Sequence, residues 1–282
     1  MSFSTELKEE ISKSEKLSNK EAVKYELMGY LMSSNISEEK NKIKFSTENE
    51  YNINRFARLL SNCGIETYNI NIQGKLFVIT CPKMEIQIDN LTIEQLKNII
   101  RGAYLGSGSI NNPENTYHLE ISVRKKDYAN IIVEGLSSFD IKSNVIEKNK
   151  EYTIYLKDGE EISKTLALLG ANKSVLKFEE IRVKREMNNK VNRLVNCETA
   201  NMNKTMNASI EQIEIIRKLK QNGEFEKLEE PLKEIAELRL QNPSASLIEL
   251  GKMLKIPIGK SGVNYRLKKV MEIGKKIDDN KK

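Results

Sequence analysis

Residues 101–109 read RGAYLGSGS, the tail of a helix-forming run that starts at Glu94 and breaks off in Gly106-Ser107-Gly108-Ser109. Earlier in the chain, Tyr25-Glu26-Leu27-Met28-Gly29-Tyr30-Leu31 stops the same way, in Met32-Ser33-Ser34-Asn35. Glycine in a helix interior costs about 1 kcal/mol relative to alanine. Two short apolar helices that both accept that cost at their centres point to a duplicated unit.

The residues that follow each helix repeat in order. After the Gly29 helix come a strand, Lys42–Ser46, and a helix over Asn54–Leu60 with Phe56, Leu59 and Leu60 on one face. Alternating Ile65, Thr67, Ile70 and Ile72 lead through Gln73-Gly74-Lys75 into Leu76-Phe77-Val78-Ile79, a hairpin pattern. After the Gly102 helix come a strand, His118–Val123, and a helix over Lys126–Leu136. A strand Ile141–Ile146, a turn at Lys148-Asn149-Lys150 and a strand Tyr152–Leu156 complete the set. Gly29 and Gly102 are 73 residues apart, Phe56 and Tyr128 72, and Ile65 and Ile141 76. Register kept over five elements marks an internal repeat. Helix, strand, helix and strand pair, twice over, is an α+β arrangement with helices on one sheet face.

Beyond Gly170 the texture changes. Phe178–Arg185 reads as a short strand. Residues 187–204 are dense in asparagine, which favours turns and caps over helix interiors, so an irregular connector or short helix is expected there. A helix follows over Ser209–Leu219, with Ile210, Ile213 and Ile216 at helical spacing. The domains are therefore a first repeat at 1–90, a second at 91–180, a connector at 181–228 and a helical module at 229–282.

That last module is the most specific part of the chain. Pro231–Leu240 is amphipathic, with proline near its start. Ser246 and Glu249 form a capping box that opens a second helix through Leu254. A third helix opens at Lys260. Leu247, Leu250 and Leu254 are set to pack on Val263, Leu267 and Val270, with Gly251 permitting close approach. This is a helix-turn-helix pattern. Its third helix offers Lys260, Ser261, Asn264, Tyr265, Arg266, Lys268 and Lys269 to the phosphates and base edges of double-stranded DNA. Residues 1–90 and 91–180 each carry 12 basic and 13 acidic groups, a net of −1, whereas 181–282 carry 22 and 14, a net of +8. Polyanion binding, where present, belongs to the C-terminal third.

Composition excludes several other functions. Cys63, Cys81 and Cys197 are far apart with no C-x-x-C pair, and His118 is the single histidine. Neither a disulfide framework nor a His/Cys metal site is expected, and no cofactor is implied. No apolar run is long enough to span a membrane, and the opening MSFSTELKEEISKSEK has no apolar signal-peptide core, so a cytoplasmic protein is expected.

The strings RGAYLGSGSINNPENTYHLEI, YTIYLKDGEEI, VNRLVNCETANMNKT and EIAELR with IGKSGVNYRLKKV resemble the WhiA family over nearly the whole chain. That resemblance implies a duplicated LAGLIDADG-type αββαββα domain followed by an all-α helix-turn-helix domain. In active endonucleases of this fold each motif helix ends in an acid that holds a divalent metal over the scissile phosphate. Matching glycine to glycine puts those positions at Ser34 and Ser107, which cannot supply the charge, so no catalytic residue and no metal are expected. Glu26, Glu120, Asp127 and Asp140 are the other acids weighed, and none has a partner at a matching repeat position. The resemblance further implies transcription regulation, cell division, chromosome segregation and sporulation, at the nucleoid, with another transcription regulator as a second partner and a monomeric chain.

Three functions are compatible with these residues: a non-enzymatic DNA-binding regulator, a surviving metal-dependent nuclease, and a LAGLIDADG-like domain serving as a protein or ligand platform. Arg124, Lys125, Lys142, Lys148 and Lys150 are either a DNA-facing patch or a solvated surface. Asn192, Arg193, Asn196, Asn201, Asn203 and Lys204 either meet DNA phosphates or hold the domains in relation.

Overall fold

Both glycine-bearing helices start on a side-chain cap. In the computed structural model, which describes residues 2–279 apart from 15, 16, 18, 87, 89 and 149, α1 spans Phe3–Ser14 and α2 Lys20–Met32. Asn19 accepts the N–H groups of Glu21 and Ala22 to open α2. Then follow β1 (Ile36–Glu39), β2 (Lys42–Thr47), α3 (Glu50–Asn62), β3 (Asn69–Gln73) and β4 (Leu76–Pro82). The second repeat opens with α4 (Ile93–Ser107), where Thr92 and Gln95 form a capping box. It continues through β5 (Ser109–Ile110), β6 (Leu119–Val123), α5 (Lys126–Ser138), β7 (Asn144–Lys148) and β8 (Glu151–Leu156). The turn expected between β7 and β8 involves Asn149, which lies outside the described residues.

The duplication is visible in the topology. Both repeats form a four-stranded antiparallel sheet, in the orders β1-β2-β4-β3 and β5-β6-β8-β7. One apolar core, including Tyr30, Phe45, Phe56, Ile99, Tyr104, Ile121 and Leu156, fills the space between the sheets and the helices. The edge strands β3 and β7 are fully exposed, including Ile70, Ile72, Val145 and Ile146. Their alternation does not therefore mark core-facing positions. Ile65 and Thr67, read as part of the third strand, lie before it in a loop.

Helices α2 and α4 cross at their glycines. A Cβ on Gly29 would overlap the carbonyl oxygen of Ile99 and stand 2.7 Å from the Ala103 nitrogen; one on Gly102 would overlap the carbonyl of Glu26. Backbone meets backbone on both sides, which no other residue type permits. Below the crossing, Glu26 and Arg55 form a bidentate ion pair, both nearly solvent-free, and Arg55 also donates to the carbonyl of Ser12 at 3.0 Å.

The repeats are also joined at the surface. The Glu38 carboxylate on β1 lies 2.8 Å from Lys83 Nζ and 2.6 Å from Arg124 Nη1, beyond β6. Hydrogen bonds from Lys83 and Arg124 hold this carboxyl down at about 2. An unfolded glutamate titrates near 4.3. Because the folded group is the stronger acid, its contribution is complete above about pH 4.5 and is lost as pH falls toward 2. Glu38→Gln is thus expected to flatten the acid limb of melting temperature against pH, modestly because the site is partly exposed. An unaltered limb in scanning calorimetry would show that solvent already screens the cluster.

After β8 come α6 (Gly159–Leu168) and α7, a single helix over Asn172–Gln221. Two expectations fail here. Phe178–Arg185 is helix rather than strand, because Phe178, Arg182 and Arg185 recur on one face: Phe178 meets Phe3 and Tyr117 in tilted ring contacts, and Arg185 lies 4.4 Å from the Tyr117 ring centre and donates to Pro113 O. The asparagine-rich segment, expected as an irregular connector or short helix, lies within this one long helix. Asparagine costs at most about 0.7 kcal/mol per helical position, and both ends of α7 are anchored. At the N-terminus, Glu10 accepts the N–H groups of Lys173 and Ser174 at 2.7 and 2.9 Å. Toward the C-terminus, Ile215, Ile216 and Leu219 are buried. Helix propagation between two fixed ends needs no new nucleus.

The chain divides into two compact units, residues 1–187 and 188–282. In the second, a 3₁₀ turn (Phe225–Lys227) precedes α8 (Glu230–Gln241), α9 (Leu247–Met253) and α10 (Lys260–Asp279). Among the described residues no helix is long and apolar enough to cross a membrane.

Candidate nucleic-acid interface

The geometry of α9 and α10 starts from local bonds. Ser246 and Glu249 make the expected capping box at the head of α9. The chain then turns through Lys255–Gly259, where Ile258 N–H donates to Gly251 O at 3.1 Å. A Cβ on Gly251 would overlap the Ile258 carbonyl and touch Val263, so the glycine lets the turn fold back onto α9. Ile235, Leu250, Leu254, Val263 and Leu267 form the small core beneath. Val270, expected in the same cluster, instead packs with Ile215, Ile216, Leu219, Phe225 and Leu232 in a second one. The end of α7 is therefore part of the helix-turn-helix unit.

With Val263, Leu267 and Val270 turned inward, the 100° step of the helix fixes what α10 shows. Lys260, Ser261, Asn264, Tyr265 and Lys268 are exposed, Tyr265 at 64%. Arg266 and Lys269, read as part of the same exposed face, are half-buried on its flanks. Arg266 is one helical step from the buried side, and Lys269 Nζ reaches back to within 3.8 Å of the Glu229 carboxylate. Residues 260–271 contain no acid. The outward face is thus a cationic, hydrogen-bonding surface with one aromatic ring.

Asn192, Arg193, Asn196, Asn201, Asn203 and Lys204 are all exposed along α7. Lys204 joins Lys260 and Asn264 around a cleft; the other five do not line it. Arg239 and Thr205, absent from the residues expected to meet DNA, also line that cleft. Arg239 carries a signal in the sequence: it follows Leu232, Ile235 and Ala236 at core-facing spacing.

Ser34 and Ser107 come together at the ends of the crossed helices. Ser34 N–H and Ser107 Oγ both donate to the carbonyl of Ser122, the former at 2.9 Å, and Asn35 Nδ2 donates to Gly106 O at 2.8 Å. Of the other acids, Glu26 is committed to Arg55, and Glu120 accepts from Ser109 and lies 3.2 Å from His118. Among the described residues no three His, Cys, Asp or Glu side chains are grouped to hold a metal ion. Arg124 is tied to Glu38 and to the carbonyl of Leu31. Lys142 and Lys150 are exposed, and Lys148 is exposed on β7.

Known proteins share this organisation. Residues 96–188 match the model of the WhiA LAGLIDADG-like domain, and 191–274 that of the WhiA C-terminal HTH domain. The two matches meet within α7. A "Probable cell division protein WhiA" of Clostridium acetobutylicum is 47% identical over 184 residues, 65% of this chain and 58% of that protein. The chain thus aligns with less than two thirds of that relative's length. A protein of the same name from Clostridium botulinum is 44% identical over 219 residues, 78% of this chain and 68% of its own length. The crystal structure of full-length WhiA from Thermotoga maritima superposes with a TM-score of 0.63 at 27% identity, covering 98% of this chain and 99% of the other. A structure of an N-terminal LAGLIDADG domain of WhiA shares the fold, with a TM-score of 0.54 at 23% identity over 58% of this chain and 88% of that one. The duplicated α+β domain, the helix-turn-helix and these relatives agree: the chain belongs to the WhiA family.

Proposed function

We propose that the chain is a non-enzymatic, double-stranded-DNA-binding regulator whose α10 enters the major groove. The observation that carries this reading is the outward face of α10. Ser261, Asn264, Tyr265 and Lys268 project from it without a competing carboxylate, and Lys260 stands at its N-terminal end. Such a face meets phosphates through its cations and helix N-terminus, and base edges through its amide, hydroxyl and ring. Arg266 and Lys269 contribute from the flanks, toward backbone phosphates. The relatives' name supports a role in cell division; transcription regulation, chromosome segregation and, in spore formers, sporulation follow from the family resemblance. The site of action is then the cytoplasmic nucleoid, where another transcription regulator is the second partner of a monomeric chain.

Tyr265→Ala combined with Lys268→Glu should lower affinity for target duplex about 100-fold at about 100 mM salt, from the loss of about 3 kcal/mol over two contacts. The slope of affinity against salt should become shallower. Binding that is unchanged in a salt titration would sink the assignment to α10.

The same reading makes the 1–187 unit a non-cutting domain. Its support is the family resemblance, which matches Ser34 and Ser107 to the positions of the metal-binding acids; serine hydroxyls do not supply that charge, and the Ser107 hydroxyl donates to the carbonyl of Ser122. Supercoiled plasmid incubated with the protein and Mg²⁺ or Mn²⁺ should remain supercoiled; site-specific nicking would restore the nuclease reading.

A further inference from the structure

Among the described residues, Arg239 is the only charged side chain buried in the 188–282 unit, at 2% exposure. Its Nη1 donates to the carbonyls of Ala245 at 2.7 Å and Pro243 at 3.4 Å, its Nε has no partner, and no carboxylate pairs with it. Carbonyl oxygens solvate a guanidinium but leave its charge uncompensated, and an uncompensated buried charge is costly. Burial accordingly pushes Arg239 below the usual guanidinium range.

Arg239 forms one wall of a cleft of about 300 Å³, bounded also by Lys204 and Thr205 of α7, Ser246 at the head of α9, and Lys260 and Asn264 at the head of α10. No Asp or Glu lines it. Of the acids next to lining residues in sequence, Glu249 is held by the Ser246 N–H in the capping box, Glu211 pairs with Lys275, and Glu237 lies 3.8 Å from Lys220. Neither Lys204 nor Lys260 forms an ion pair among the described residues. The cleft thus gathers three cations, one of them buried and unpaired, with hydroxyl and amide groups around the first turn of a 20-residue helix. Its missing component is an anion with several acceptor oxygens.

We propose that this cleft is a phosphate-binding site, shared between α7 and the helix-turn-helix. The phosphate is either a backbone phosphate of the DNA that α10 reads or the phosphoryl group of a free small molecule. In the first case the inference rests on the DNA-binding reading of α10 and extends it: α7 supplies a second contact, outside α9 and α10, that fixes register on the duplex without reading sequence.

The test uses the full chain and two variants of exposed residues, Lys204→Ala and Thr205→Val, whose folding is checked by thermal melting. In one arm, duplex DNA is titrated over a range of salt. Lys204→Ala should weaken target and unrelated duplex alike, about tenfold, and reduce the salt slope by about 0.9, the value for one phosphate no longer neutralised. In the other arm, inorganic phosphate and then pyrophosphate are added without DNA. A free-phosphate site raises the melting temperature of the wild type and not of either variant. A response in the first arm assigns the DNA backbone, and a response in the second alone assigns a small phosphorylated ligand. No response in either arm overturns the site. The α10 assignment fails separately, through Tyr265→Ala with Lys268→Glu, because neither of those residues lines the cleft.

Discussion

Valine in place of Gly29 is expected to lower the melting temperature of the 1–187 unit by about 15 °C, or to prevent it from folding. The added carbons fall on backbone atoms of the facing helix, the Ile99 carbonyl and the Ala103 nitrogen, and not on a side chain able to swing aside. Small-to-large changes in a packed interior cost about 1–3 kcal/mol when neighbours can shift. Here only separation of α2 from α4 relieves the overlap, and about 5 kcal/mol is expected. A unit of this size loses about 3 °C per kcal/mol. Gly102→Val should behave alike, because its added atoms meet the Glu26 carbonyl across the same crossing. The double variant should cost less than the sum, since helices already forced apart cannot be forced apart twice. Calorimetry of the three variants checks both points. A drop under about 5 °C for either single change, or strict additivity, would show that the crossing does not depend on these glycines.

Glu26→Ala is the second large effect, with an expected loss of about 3–5 kcal/mol. Both Glu26 and Arg55 are almost fully excluded from solvent, and the carboxylate meets the guanidinium through two parallel hydrogen bonds. Removal of the acid leaves a cation in an apolar interior with backbone carbonyl contact such as that to Ser12. The corresponding double change, Glu26→Leu with Arg55→Met, removes both charges and should recover most of the loss. Denaturant unfolding of the two variants decides the matter. Equal destabilisation by the single and double changes would mean that the loss of the pair itself, rather than burial of the cation without Glu26, accounts for the cost.

These two sites differ in how far they could be read beforehand. The glycines announce the duplication locally, as an apolar helix that keeps glycine at its centre, twice, at a spacing of 73; their close approach is what the family resemblance implies. The ion pair does not. Glu26 and Arg55 are 29 residues apart, on different helices, and nothing in either neighbourhood names the other. Likewise the sequence shows that Ser34 and Ser107 correspond, but not that both donate to the carbonyl of Ser122 on a third element.

The C-terminal unit shows the same division. The capping box of Ser246 with Glu249, the proline at the start of α8 and the leucine spacing are short-range features, so the helix-turn-helix was legible throughout. The orientation of α10 was less so. Seven polar residues were assigned to one face, yet a helix turning 100° per residue cannot display all of them outward once Val263, Leu267 and Val270 point in, and Arg266 and Lys269 fall to the flanks.

Local propensity and periodicity, which act over a few residues, were enough to establish two repeats and the three helices of the last module. They misjudged residues 178–204, where weak asparagine preferences are outweighed by anchors at both ends of one long helix. Contacts between distant segments, which no local pattern encodes, set the Glu26–Arg55 pair and the inward turn of Arg239. They also bring Lys204 beside Lys260. Each depends on burial, and burial exists only after the chain has folded.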